Sequence, residues 1–413
     1  MLALLAAAVA VGFGQIVIPL YEHGEGPAFQ SNPKSLLQLN SKSKATARLR
    51  GPIPAGKALD VLYGVVRVGN PPQEFTVAFD TASGNLVLPS SECESMACQQ
   101  HRMYQEMASV TSKTVKRLDS APGGGDNGVE KIKVSFGTGS VTARIVEDVV
   151  CLGAKSAICE RADVLMAEHM DDYPFSIVPY DGVLGLGLTE SSTAPAFNVL
   201  GRLSEKMKND RFAIWLATDV DKAAGDNSEL SLGDWKNERT ASEFMWTSLS
   251  RETGFWEVQL EDVWVGSDAT ELTLPTCTAG HCYAVLDSGT TLIAGPPGEI
   301  QAIRGALGVR EDCSNLAELQ NLVFKINGYA LSLEPKDYVL QDSSGCHAQL
   351  MEIRMPKPKG PAFLLGQIFL RKFYTVFDRD SLKIGMAVAM HASATPGETG
   401  TPPEKLFFPV SGD

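Results

Sequence analysis

From Leu59 onward the apolar residues fall in short runs of strand length, not along helical stripes. Val65 and Val68, then Phe75, Val77 and Phe79, lie on either side of the turn formers Gly69-Asn70-Pro71-Pro72. Between Lys131 and Asp148 the alternation is regular. Ile132, Val134 and Phe136 form one arm of a hairpin, Val141, Ala143 and Ile145 the other, and Gly137-Thr138-Gly139 the turn. Ser120 to Gly128, with Gly123-Gly124-Gly125, reads as a flexible surface insertion. Short helices are predicted at 195–209 and 298–307. Strand-like runs return at Thr375-Val376-Phe377 and Ile384-Gly385-Met386, and a Pro/Gly/Thr-rich tail follows His391. The pattern predicts a chain dominated by β-structure with a few short helices.

Composition narrows the reading. The 413 residues allow two domains or one bilobal unit, and 44% hydrophobic content supports a globular core. A formal charge of −13 argues against a nucleic-acid surface. Leu2 to Phe13 is uncharged and apolar and is followed by Gly14, which reads as a signal peptide over 1–14, although no Lys or Arg precedes it. No later stretch approaches ~20 apolar residues, and Leu406-Phe407-Phe408 is too short for an anchor, so no membrane anchor is expected. Residues 15–50 carry a net +3, leaving −16 on the remainder. A basic leader of this kind can lie over an acidic cleft and loosen as acid protonates the carboxylates.

Eight cysteines form close pairs along the chain: Cys93 with Cys98, Cys151 with Cys159, Cys277 with Cys282 and Cys313 with Cys346. Behind a signal peptide this reads as four disulfides, although eight cysteines allow 105 connectivities. The alternative, structural zinc, lacks a histidine set at metal spacing, His281 beside Cys282 notwithstanding. No Asn-x-Ser/Thr sequon occurs.

The candidate chemistry is a repeated turn. Phe79-Asp80-Thr81-Ala82-Ser83-Gly84 and Leu286-Asp287-Ser288-Gly289-Thr290-Thr291 each deliver one Asp from an apolar run into a hydroxyl-rich turn, 207 residues apart. Each is followed by two apolar residues and a glycine, Val183-Leu184-Gly185 and Leu364-Leu365-Gly366, in the same order. Glycine permits close backbone approach under the Asp turn. The paired pattern implies two homologous lobes that each contribute one carboxylate. Two carboxylates sharing one site cannot both ionise easily, so one retains a proton beside the other's charge. Such a pair is an acid and a base in one place, suited to hydrolysing an amide with water.

Between Leu59 and Ala389 the chain resembles the pepsin family of aspartic endopeptidases. The resemblance rests on Phe79-Asp80-Thr81, Phe136-Gly137-Thr138-Gly139-Ser140, Tyr180-Asp181-Gly182-Val183-Leu184-Gly185, Leu286-Asp287-Ser288-Gly289-Thr290, and Leu364-Leu365-Gly366 followed by Phe373-Tyr374-Thr375-Val376-Phe377-Asp378. Three of the four cysteine pairs also resemble the family's loops; Cys151 with Cys159 lies outside the commonest pattern. The resemblance implies an all-β bilobal fold, two pseudo-symmetric barrel-like lobes around a cleft. It implies a signal peptide and pro-segment (15–50), an N-terminal lobe (51–220), a C-terminal lobe (221–392) and a flexible tail (393–413). Asp80 and Asp287 would be catalytic. Thr81 and Ser288 would tie the loops together, Ser83 and Thr290 would bond the outer carboxylate oxygens, and Gly289 would support them. Phe136, Gly137, Thr138 and Gly139 would form a substrate-binding flap. The implied protein is a monomeric zymogen of the secretory route, extracellular or in an acidic lysosome- or vacuole-like compartment. It would cut peptide or protein substrates between hydrophobic residues. Its own pro-segment would be its inhibitor, and it would use no metal or cofactor.

The chain departs from the family at four positions. Phe136 replaces the usual flap Tyr and Val87 the usual Trp, so both ends of a polar latch are missing together; a more mobile flap and a wider subsite are expected. Ala82 stands where Gly is usual. Gln367 stands where many acid-adapted members carry Asp, which leads us to expect a higher pH optimum; the plain alternative is a surface amide. Ala82 and Phe136 are the main support for an alternative, a catalytically impaired peptide-binding protein; intact Asp80, Asp287, Thr81, Ser288, Ser83 and Thr290 argue against it. A two-carboxylate carbohydrate hydrolase would also fit a bare Asp pair, but not the flap and the paired glycine loops.

Overall fold

A computed structural model describes residues 15–22, 61–116, 131–136, 139–266, 282–355, 360–392 and 407–409, with Leu272, Leu274 and Lys357. Most of the regular structure is β. The first lobe holds one large sheet running Tyr63–Val68, Gln73–Asp80, Gly182–Gly185, Leu86–Pro89, Ile158–Met170, then Gly139–Leu152 and Lys113–Val115. Its first four contacts are antiparallel, parallel, antiparallel and parallel. In the second lobe a sheet runs Glu257–Gln259, Tyr283–Leu286, Phe363–Leu365, Ile293–Gly295, Leu350–Glu352. Its contacts follow the same sequence of directions. Strand order and polarity thus repeat the duplication seen in the motifs, and the fold is bilobal.

The predicted hairpin forms, with Val134 opposite Val141 and Ile132 opposite Ala143. Its longer arm runs on to Leu152 because Val146, Val150 and Leu152, on the opposite face from Val141, Ala143 and Ile145, are buried in the main core. The predicted helix over 298–307 is Pro297–Leu307, closed by Gly308 at φ +60°, a left-handed position that suits glycine. The helix predicted over 195–209 is broken into the short turns Pro195–Phe197, Val199–Leu203 and Ser204–Lys206. Asn198 causes the break: its side chain accepts from the Gly201 amide and restarts the helix as a cap.

A six-stranded sheet joins the lobes in the order Ile16–Pro19, Glu229–Leu232, Arg211–Trp215, Phe373–Asp378, Lys383–Val388, Met245–Ser248. The boundary read at 220/221 falls inside this shared sheet. Phe212 stacks on Phe377 at 4.7 Å, and Trp256 packs edge-on against both. The leader's described part is a strand of this sheet, with Ile16, Ile18 and Leu20 buried. Glu22 then pairs with Lys222 at 2.5 Å and Arg371 at 3.2 Å. The leader's basic residues Lys34 to Arg50 lie outside the described residues, as does the Gly123-Gly124-Gly125 insertion. Within the stretch read as a tail, Phe407–Pro409 pairs with Tyr329–Leu331 as an added edge strand.

Cys93–Cys98, Cys151–Cys159 and Cys313–Cys346 are bridged. Cys151 and Cys159 are direct cross-strand partners in a hairpin, so this pair follows from strand register. Cys282 is also disulfide-bonded, while Cys277 lies outside the described residues.

Candidate active site

Asp80 ends the strand Gln73–Asp80, and Asp287 follows the strand Tyr283–Leu286. Each strand runs parallel to the strand that carries or leads into its companion glycine, with Asp80 opposite Gly185 and Gly366 directly after Phe363–Leu365. The glycines are needed for space. A Cβ on Gly185 would lie 2.4 Å from the Ser83 carbonyl oxygen, and one on Gly366 would lie 2.3 Å from the Thr290 carbonyl oxygen. The strands therefore cross directly beneath the two Asp turns, which fixes the height of both carboxyls.

The turns are tied to each other by four hydrogen bonds. Thr81 Oγ1 donates to the Leu286 carbonyl at 2.7 Å and accepts from the Ser288 amide at 2.9 Å. Ser288 Oγ donates to the Phe79 carbonyl at 2.6 Å and accepts from the Thr81 amide at 3.0 Å. Each hydroxyl both donates and accepts, and both residues are buried, so this small network is fully satisfied and rigid. The carboxyls are oriented in parallel fashion. Asp80 Oδ1 accepts from the Ala82 amide at 2.8 Å, and Asp287 Oδ1 accepts from the Gly289 amide at 2.9 Å. Thr290 Oγ1 donates to Asp287 Oδ2 at 2.7 Å.

Ser83 does not repeat that last bond. Its Oγ is buried and makes no hydrogen bond of acceptable geometry among the described residues, although it lies close enough to Asp80 to oppose the rise in that carboxyl's pKa. Serine lacks the second Cβ substituent that restricts threonine's χ1, so its hydroxyl is less firmly aimed. Ser83 thus stands beside Asp80 as Thr290 stands beside Asp287, without the well-aligned bond that Thr290 makes.

Burial raises the pKa of both carboxyls. For Asp287 the charge of Asp80 is the second cause, and the hydrogen bond between the two carboxyls raises Asp287 while lowering Asp80. Asp287 is also the less exposed, at 3%, whereas Asp80 keeps partial access to solvent. Burial and the mutual repulsion of the two charges therefore keep a proton shared within the pair.

Two further residues complete the site: Trp256, which no motif marks, and Gln367. Trp256 Nε1 donates to the Leu186 carbonyl at 2.9 Å, the Leu186 amide donates to the Asp80 carbonyl, and the Leu286 amide donates to the Trp256 carbonyl. A buried indole thus links the two Asp strands from behind. Gln367 is buried at 3% exposure, which corrects its reading as a surface amide. Its Nε2 donates to the Ser288 carbonyl at 3.1 Å, one residue from Asp287. The expected pH effect reverses as well. A carboxylate here would raise the pKa of neighbouring carboxyls, so the uncharged Gln367 leaves the pair's proton less tightly held. Gln367→Glu is expected to move the alkaline limb of the pH profile of kcat/KM upward. A downward movement would reverse that sign again.

The flap strands place Phe136 opposite Gly139; Gly137 and Thr138 lie outside the described residues. Phe136 meets Phe175 edge-on at 5.8 Å. Phe136 and Val87 line one hollow, with Met170, Phe175, Val178 and Tyr180 also in its wall. Packing by these side chains leaves room for about one water molecule, so the wider subsite expected from Val87 is largely filled. Phe136→Tyr and Val87→Trp are expected to couple in a double-mutant cycle on kcat/KM by about 0.5–3 kcal/mol. Additivity in a stable double mutant would mean that Phe136 acts by packing alone.

The described residues contain no cluster of three or more His, Cys, Asp or Glu placed to hold a metal ion, and no helix among them is long and apolar enough to cross a membrane. A model of the eukaryotic aspartyl protease family matches residues 62–389. Pepsin A of Sus scrofa is 30% identical over 83% of this chain and 85% of its own length. Cathepsin E of Mus musculus is 31% identical over 80% and 81%, and cathepsin E-A of Xenopus laevis is 30% identical over 80% of each. A pair of carboxyls joined by reciprocal hydroxyl bonds, on two lobes of matching strand order, is what this family match covers: the chain belongs to the eukaryotic aspartyl protease family and is an aspartic endopeptidase.

Proposed function

We propose that Asp80 and Asp287 carry out peptide-bond hydrolysis with Asp80 as base and Asp287 as acid. The observation that carries this is the hydrogen-bonded joining of the two Asp turns, with a proton shared within the buried pair. In the first step Asp80 takes a proton from water, the water oxygen bonds to the scissile carbonyl carbon, and Asp287 gives its proton to the carbonyl oxygen. A neutral diol results. In the second step protonated Asp80 returns its proton to the amide nitrogen, ionised Asp287 takes one diol proton, and the C–N bond breaks. The pair ends as it began. The rigid turns hold both groups in place before substrate arrives, so little reorganisation accompanies the reaction.

The apolar lining under the flap favours cleavage between hydrophobic residues. The basic leader and acidic body support synthesis as a zymogen with the pro-segment as its inhibitor, and the disulfides support a secretory route to an acidic compartment or the exterior. The alternative of an impaired peptide-binding protein draws no support from Ala82, which does not sit at positive φ and whose amide holds Asp80. Incubating the purified precursor with a hydrophobic-centred peptide across roughly pH 3 to 6 brackets carboxylate titration. Cleavage that is titrated to zero by an analogue with a hydroxyl in place of the scissile amide is expected. Absence of cleavage throughout, with the analogue still bound, would favour the peptide-binding alternative.

A further inference from the structure

Tyr180 lines the flap hollow and lies near enough to Asp80 to feel its charge. It is 8% exposed. Its hydroxyl makes no hydrogen bond among the described residues, and it is not among their sealed, unpaired polar atoms, so it keeps access to open space. The other polar side chains in the wall are occupied. His101 Nε2 lies 2.6 Å from the Phe175 carbonyl oxygen. Asp181 accepts from the Thr76 amide and hydroxyl, and from the amide and guanidinium of Arg102.

The Tyr180 ring is held firmly. It packs on Tyr63 at 6.2 Å and belongs to a cluster with Val61, Ala78, Val178 and Val183. The bonds of Asp181 pin the backbone next to it. Burial, then the nearby charge of Asp80, hold the phenol well above its usual pKa, so it stays a proton donor. Across the hollow, Phe136 is partly exposed, carries no hydroxyl and meets the wall through apolar and edge-on aromatic contact. Tyr180, with its unpaired hydroxyl, and the partly exposed Phe136 ring therefore share one hollow.

We propose that Tyr180 is a specificity-determining residue: a substrate side chain that displaces Phe136 from the hollow hydrogen-bonds the Tyr180 hydroxyl through its polar tip, so tyrosine is favoured over phenylalanine there. A substrate with a bare phenyl ring encloses the Tyr180 hydroxyl without a partner, and a substrate phenol supplies one. The preference expected for one such hydrogen bond is about tenfold in kcat/KM.

This inference rests on the peptidase reading above, and the test separates the two. Peptides with Phe or Tyr exchanged singly at each of the central positions are compared in the wild type and in Tyr180→Phe. The wild type should prefer Tyr about tenfold at one position, and Tyr180→Phe should bring that ratio close to one. The ratio is taken within each enzyme, so a general loss of activity cancels. An equal ratio in both enzymes, or no preference at any position, would overturn the assignment. Binding of the same Phe and Tyr peptides made non-cleavable by a reduced scissile bond is measured in parallel. A Tyr preference in binding without cleavage would leave Tyr180 assigned and remove the peptidase reading. Cleavage without the preference would do the reverse.

Discussion

Asp80→Asn and Asp287→Asn are each expected to lower kcat by at least about 10²–10⁴-fold, the range for one general acid or base, with the fold intact. The lower bound applies because each carboxyl acts twice, and an amide can neither accept the water's proton nor return it. The backbone bonds from Ala82 and Gly289 to the carboxyl oxygens survive in an amide, since Asn keeps one acceptor oxygen. Stability gives a second readout with a definite sign. Asp287 has a folded-state pKa raised above its unfolded value by burial and by Asp80. The stability this contributes is fully present below the unfolded pKa and is lost as the pH rises through the raised value. The wild type should therefore lose stability between acid and neutral pH, and Asp287→Asn should lose less. Turnover and denaturant midpoints at both pH values check this. Near-normal turnover in either variant would remove that carboxyl from the chemistry, and equal pH sensitivity of wild type and Asp287→Asn would remove the linkage.

The duplication was legible in the sequence because it is written in local constraints. An Asp at a strand end, hydroxyls next to it and a distant glycine beneath it are each fixed by backbone geometry, and all recur in order. Cys151 with Cys159 was legible only as a close pair along the chain, and the strand register that joins them came from the fold. What was missed depends on partners far along the chain. Trp256 looks like any core aromatic until its indole is seen to bond Leu186, 70 residues away. Gln367 was open to being read as a surface amide because polarity predicts exposure, and only the Ser288 carbonyl explains its burial. Glu22 gives no local sign that Lys222 and Arg371 will meet it. Side-chain rotamers are a separate class: Ser83 and Thr290 occupy equivalent places, and no sequence pattern distinguishes the bonded hydroxyl from the unbonded one.

The residues two positions after the candidate carboxyls, Ala82 and Gly289, provide the sharpest contrast in the site. Gly289→Ala is expected to cost about 10²-fold in kcat, the scale of an ångström's misplacement. A Cβ built at Gly289 would lie 2.6 Å from Asp80 Oδ1 and 3.2 Å from Asp287 Oδ1. Ordinary contact begins near 3.4 Å, so one carboxyl must move by most of an ångström or the turn must open. Either movement separates the groups that share the proton. The equivalent position in the other loop already carries a methyl. Ala82 keeps its amide bond to Asp80 at 2.8 Å and avoids positive φ, so Ala82→Gly should leave kcat/KM essentially unchanged. It should lower stability by about 0.4–1 kcal/mol through added freedom in the unfolded chain. The loops are therefore not interchangeable: crowding is tolerated on the Asp80 side and excluded on the Asp287 side. Steady-state kinetics on one peptide and denaturant melts of both variants decide the matter. A large rise in activity for Ala82→Gly would show that the native methyl holds the carboxyls apart, and the chain would then be the impaired member of its family.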